Sequence, residues 1–317
     1  MSFRKVHLLT TMLVAVFCLS NLFAANDCDR ACLKTMLDQY LTAVTKHDPS
    51  AAPLFIGFRQ TENAVVVKLG SGAWKSVTAL GKVQRRYIDA VSGQAGYFGI
   101  VEEGATPAIV GLRVRVENKK ITEAEWIISR RGDPGLNGPA GGNVFDVDNL
   151  IANPPPDKPL AKDARMPREA MMAVVNSYFD GITTHDGSII MAIPGCVRLE
   201  NGVTMTGRGA RGGAGGGATS DCTSNLETIN IQNVAGRRYP VIDEEVGVAM
   251  ALATFIRKPG TTTRRNMFSE WFVLDNYKIK NIYAAMYYPP PEAPVPNWPP
   301  FDGNWPLPPS FSPAPAR

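Results

Sequence analysis

Two His-Asp steps, His47-Asp48 and His185-Asp186, stand out among the residues able to do chemistry. A histidine beside a carboxylate can serve as a general base. The structural reading is stronger: a histidine closes one helix, where a cation meets the dipole, and the aspartate caps the next. No serine or cysteine stands in a nucleophile setting that would complete a hydrolytic triad. The run Gly207-Arg208-Gly209-Ala210-Arg211-Gly212 spells a dinucleotide fingerprint, but more glycines follow where a helix would have to begin. It reads as a surface loop, and no Gly-Lys-Ser/Thr ending supports a phosphate loop.

The first residues indicate the compartment. Arg4 and Lys5 precede an apolar stretch over 8–23, and Ala24 and Ala25 follow it. This order predicts a secretory signal peptide over 1–25, cleaved after Ala24 or Ala25, and a secreted or periplasmic protein. The run is short for a membrane span and is broken by Thr10, Thr11, Ser20 and Asn21. Cleavage leaves about 290 residues, enough for two ordinary domains. It also leaves four cysteines, Cys28, Cys32, Cys196 and Cys222. An even number in an exported chain reads as disulfides with three possible connectivities, of which Cys28–Cys32 and Cys196–Cys222 are favoured, one in each half. A zinc site fits poorly, because His47 and His185 lack ligand spacing to these cysteines. Lysines and arginines do not cluster among aromatics, which argues against nucleic acid as a partner.

The chemistry-bearing residues sit within a repeat. With Tyr40 placed on Tyr178, YLTAVTKHDPS falls on YFDGITTHDGS without a gap. The same offset brings Gly57 to Gly195 and Glu62-Asn63 to Glu200-Asn201. Each copy opens with helical spacing: Leu37, Tyr40, Leu41 and Val44 in one, Val175, Tyr178, Phe179 and Ile182 in the other. Asp48 and Asp186 are placed to cap a second short helix. Extended patterns follow at 64–69, 84–91, 95–101, 108–117 and 121–129, and then at 239–242, 247–256, 268–274 and 279–287.

Helices followed by hairpin-linked strands predict an α+β fold. It comprises two tandem cone-like units, each with N-terminal helices packed on a curved, mostly antiparallel sheet. The expected division is a first unit at 26–133, a Gly/Pro-rich linker at 134–166 lying over the surface, a second unit at 167–288, and a Pro-rich tail at 289–317. The free sheet faces are expected to cover each other, making a monomer that is a pseudo-dimer within one chain.

A first-helix tyrosine eight residues before an aspartate, then a short helix and a curved sheet, resembles the nuclear-transport-factor-2-like, or SnoaL-like, cone. The mature chain also resembles a secreted tandem SnoaL-like family of fungi and bacteria whose function is largely unassigned. The resemblance rests on CDRACL, TENAVVVKLGSGAW, VSGQAGYFGIVEE, YFDGITTHDG, EWFVLDNYKI, IYAAMYYPP and NWPLP.

Ketosteroid isomerase and scytalone dehydratase share that cone. The resemblance implies that Tyr40 and Tyr178 match the isomerase's oxyanion-binding tyrosine. Glu270, in Glu270-Trp271-Phe272, matches its protonated acid, and the first copy has Leu112 there. Glu62 and Glu200 fall nearest its base. The dehydratase's strand histidines have no counterpart. Tyr178, Glu200 and Glu270 are therefore the candidate catalytic residues. The expectation is an isomerase, dehydratase or lyase that needs no cofactor and acts by proton transfer on a small apolar molecule. The alternatives are a non-catalytic binding protein for a hydrophobic molecule, and a structural protein with filled pockets.

Overall fold

The computed structural model describes residues 27–139, 142–207, 221–261 and 264–290. The segment expected to be a signal peptide, most of the glycine-rich run and the tail beyond residue 290 lie outside the described residues.

Helix α1 (Arg30–Thr45) starts where the Asp29 side chain accepts the Cys32 backbone N–H at 2.9 Å. Its apolar stripe, including Leu33, Leu37, Tyr40 and Val44, is buried. His47 ends the helical segment at positive φ, its ring against the Trp74 carbonyl, and Asp48 caps the 3-10 turn Pro49–Ala51. The structural reading of the His-Asp step therefore holds here. It holds again in the second unit, where His185 is the left-handed C-cap of helix α4 (Arg168–Thr184) and Asp186 accepts the Ser188 N–H.

Strands β1 (Leu54–Glu62), β2 (Val65–Val67), β3 (Ala79–Asp89), β4 (Gln94–Glu103), β5 (Thr106–Glu117) and β6 (Lys120–Arg130) form one sheet. Its order is β2-β1-β6-β5-β4-β3, and the short helix α2 (Ala73–Ser76) precedes β3. Only β1 and β6 pair in parallel. After the short helix α3 (Val147–Ala152) and α4 (Arg168–Thr184) the plan repeats. Strands β7 (Ala192–Glu200), β8 (Val203–Thr206), β9 (Ile231–Asp243), β10 (Val248–Arg257), β11 (Asn266–Asp275) and β12 (Lys278–Tyr287) lie in the order β8-β7-β12-β11-β10-β9. This is the expected α+β pair of cone-like units. The first strand of each unit, β1 and β7, is missing from the sequence-predicted strands. Gly57, Pro194 and Gly195 interrupt their patterns, and β1 is mostly exposed along its first half. Disulfides join Cys28 to Cys32 and Cys196 to Cys222.

Each helix packs on one face of its own sheet, and the opposite faces meet. Tyr87, Phe98, Met250, Leu252, Trp271 and Tyr283 belong to the apolar layer between the sheets. Trp271 lies 5.2 Å from the Tyr87 ring and 6.0 Å from Phe98. Gly96 and Gly111 make this approach possible, because a Cβ at Gly96 would strike the Trp271 ring and one at Gly111 the Ser269 side chain. At one end of the layer the units exchange ions reciprocally. Arg30 pairs with Asp243 through two bonds of 2.9 Å, and Arg168 with Asp89 at 2.7 Å. Each aspartate also accepts a backbone N–H from the other unit, from Ile88 and Ile242. Deeper in the layer, Glu125 receives Arg113 and Arg238 together. Burial works against its charge, but the two guanidiniums hold its carboxyl at about 2.

The linker does more than lie over the surface, as expected from its composition. Asp146 caps α3, and Phe145 and Leu150 are buried in the layer between the units. The apolar residues within this Pro-rich run find a groove between two sheets that no local pattern discloses. The carbonyls of Pro155 and Pro156 accept bonds from Arg85 and Tyr87, which fastens the segment to β3. Among the described residues no helix is long and apolar enough to cross a membrane.

Candidate small-molecule site in the second unit

Strand register lets the two cones be compared position by position. In the first, Glu62, Trp126, Leu112 and Tyr97 stand opposite one another across β1, β6, β5 and β4. In the second, Glu200, Ala284, Glu270 and Ala251 occupy the same row across β7, β12, β11 and β10. The pairing of Leu112 with Glu270 made from sequence is the pairing the sheets make. Two large aromatics have become alanines, and a leucine has become a glutamate.

The consequence differs sharply between units. In the first, the Tyr40 hydroxyl accepts the Trp126 indole N–H at 3.0 Å. Gln60 accepts the Trp74 N–H at 2.6 Å, and the Tyr40 and Trp74 rings meet edge to face at 5.3 Å. Tyr40 is fully buried, with the rings of Phe58, Trp74 and Trp126 around it. In the second unit the Tyr178 hydroxyl accepts instead from Arg198 Nη1 at 2.8 Å. Arg198 holds the place of Gln60 by the same offset that relates Glu62 to Glu200. Its Nε lies 3.1 Å from Glu200 Oε1.

Beside this group opens a cavity of about 410 Å³. Arg198, Glu200, Asn266, Arg257 and Tyr288 are among its polar walls, and Ile182, Phe255 and Met286 among its apolar ones. Leu136 and Asn137 reach it from the segment between the units. A second cavity of about 280 Å³, which Glu62, Arg130, Met267 and Tyr287 help to line, lies where the two units meet.

Of the three residues singled out from sequence, Glu200 lines the main cavity. Tyr178 and Glu270 are not in its wall; both are fully buried. Burial pushes the Tyr178 hydroxyl well above its ordinary range, with Arg198 opposing. Neither oxygen of Glu270 has a hydrogen-bond partner among the described residues. Burial raises its carboxyl to about 8, and Glu200 adds to the rise while Arg198 works against it. At neutral pH this acid holds its proton.

Sequence reasoning missed Arg198. Its position two residues before Glu200 on one strand, and therefore on the same face, was the available signal. The asparagines of the repeated Glu-Asn pair are structural. Asn63 and Asn201, both at positive φ, accept the N–H of Ile128 and Met286 and so tie each first strand to the last. Glu62 is also engaged, accepting the Ala73 N–H and pairing with Arg130.

The fold and cavity define a two-unit α+β cone protein with a cavity of mixed polar and apolar lining in its second unit. Residues 164–286 match a family described as "Domain of unknown function (DUF8021)". No curated protein matches the chain. Among solved structures, a cystatin-like protein of unknown function from Methylobium petroleophilum is 20% identical, covers 41% of this chain and 84% of its own, and has a TM-score of 0.30. A putative ketosteroid isomerase from Kribbella flavida is 10% identical, with 40% and 84% covered and a TM-score of 0.29. An NTF-2-like protein of unknown function from Burkholderia xenovorans is 14% identical, with 40% and 88% covered and a TM-score of 0.27.

Proposed function

We propose that this is an exported protein whose second unit binds a small, largely apolar molecule and transforms it by cofactor-independent proton transfer, as an isomerase, dehydratase or lyase. Glu270 is the observation that carries this reading. A buried carboxyl without a hydrogen-bond partner costs a fold about 1–3 kcal/mol, and apolar packing such as Leu112 provides in the first unit would remove that cost. A protonated acid beside Arg198 and Glu200 has a chemical use. Glu200 would take a proton from carbon next to a carbonyl. The Arg198 guanidinium would stabilise the charge growing on the carbonyl oxygen, and the proton held on Glu270 would join it where a bound substrate opens the wall between the cavity and that buried acid. Returning the proton to a different carbon isomerises the substrate; expelling a β-hydroxyl as water dehydrates it. Tyr178 positions Arg198 in this scheme and does not touch substrate.

The placement of Tyr178 and Glu270 outside the cavity wall favours a second reading, a binding protein that releases its ligand unchanged. Incubating the mature protein with a metabolite extract, followed by mass spectrometry, separates the two. The expected result is a substrate consumed by wild type, with turnover lowered on the order of a hundredfold or more by Glu270→Leu. Circular dichroism should show that the variant stays folded. A ligand retained intact by both proteins establishes the binding module instead.

A further inference from the structure

The rim of the second cone carries an exchange of charge that proton transfer does not require. Val101 pairs with Ala108 in the first unit as Phe255 pairs with Asn266 in the second, which sets Arg257 where the first unit has Glu103. Arg130 stands across from Ala108, and Tyr288, one residue beyond β12, takes the corresponding place. In the first unit these positions neutralise each other. Arg130 gives two hydrogen bonds to Glu103, at 2.6 and 2.8 Å, and reaches Glu62 at 3.3 Å.

In the second unit the acid is gone and the cation has changed strands. Arg257 donates from Nη2 to Asn266 Oδ1 at 2.7 Å and from Nε to the Arg264 carbonyl at 2.8 Å. Among the described residues no carboxylate pairs with it, and its Nη1 makes no hydrogen bond. The cavity wall therefore carries two guanidiniums, Arg198 and Arg257, against one carboxyl group, Glu200. Burial lowers the Arg257 pKa from its usual value, and Tyr288 and Glu200 only partly offset it. A half-buried guanidinium facing a cavity with its fork incompletely used suits a carboxylate, whose two oxygens accept in the same plane.

We infer that the ligand of the second-unit cavity is a carboxylic acid, its carboxylate held by Arg257 beside Asn266 and Tyr288 and its apolar body laid against Ile182, Phe255 and Met286. This rests on the small-molecule reading of the cavity but does not need proton transfer to occur there. The acid group supplies the missing negative charge at the rim. The rest of the molecule then extends toward Arg198 and Glu200.

Calorimetric titration with phenylacetate, cinnamate and decanoate, each beside its primary amide, tests the inference. At least one acid is expected to bind ten or more times tighter than its amide. Arg257→Gln should reduce that acid's affinity at least tenfold, Arg257→Lys should restore part of it, and amide binding should not change. Glu103→Gln, in the first unit, should leave acid affinity unaltered. Should Arg257→Gln fail to fold, the acid-to-amide ratio of the wild type alone decides. Equal binding of acid and amide, an Arg257→Gln variant that binds acids normally, or no binding of any of the three acids overturns the inference. Proton transfer fails on a different readout: acids that bind selectively but are never converted sink that reading and leave the carboxylate site standing.

Discussion

Glu270 and Glu125 are both fully buried carboxyls, yet opposite neighbours put them in opposite protonation states. Glu125 meets two guanidiniums and stays ionised down to about 2, whereas Glu270 meets alanines across the strands and keeps its proton to about 8. The two leave separate marks on the pH dependence of stability. For Glu270 the folded value lies above the ordinary carboxylate value, so the folded state binds more protons than the unfolded between about pH 4.5 and 8. Its contribution is complete at acid pH and is lost as pH rises through that window, on the order of a few kcal/mol. Glu125 does the reverse, contributing above about pH 4.5 and losing its contribution as pH falls toward 2. Urea unfolding at pH 5, 6, 7 and 8 should show wild type losing more stability across the series than Glu270→Leu. Parallel pH profiles for the two proteins would contradict a buried protonated Glu270.

The strands turn one repeat into two different cones. The row holding Trp126 and Tyr97 in the first sheet holds Ala284 and Ala251 in the second, and everything nearby follows from that change in volume. In the first unit the row is structural. Tyr40→Phe is expected to cost about 1–3 kcal/mol, because the Trp126 N–H would lose its acceptor inside an apolar core. Trp126→Ala, which leaves a cavity, should cost about 3–5 kcal/mol. Thermal melts provide both values, and neither variant should alter ligand binding in the second unit. A ligand affinity that drops with Tyr40→Phe would instead couple the two cones.

At the scale of the whole molecule, the two copies cover each other's open sheet faces. The Trp271 layer, the seated α3 and the reciprocal Arg30–Asp243 and Arg168–Asp89 pairs hold the two units together. The two-unit protein is therefore expected to run as a monomer in light scattering. Asp243→Ala removes the Arg30 partner across the units, leaving Arg30 with Glu245 and the Ile88 carbonyl, and orphans the buried Ile88 N–H, a loss of about 1–3 kcal/mol. Chemical denaturation should register it as a lower midpoint. An unchanged midpoint would mean that the apolar layer alone joins the units.

Much of this was legible along the chain. A constant offset revealed two copies, helical spacing located α1 and α4, and the cysteines suggested the pairs that form. The match of Glu270 to Leu112 comes from the resemblance to the isomerase cone, and the strand register agrees with it. Those features depend on neighbours in sequence. The remaining features depend on neighbours across strands. Arg198 gains its meaning from Tyr178 on a helix, and Arg257 from a Glu103–Arg130 pair in the other unit that it does not reproduce. The linker gains its burial from a groove between two sheets. Periodicity tells which face a side chain takes, but only strand register and sheet packing bring distant chemical groups together, and the cavity in the second unit exists because of them.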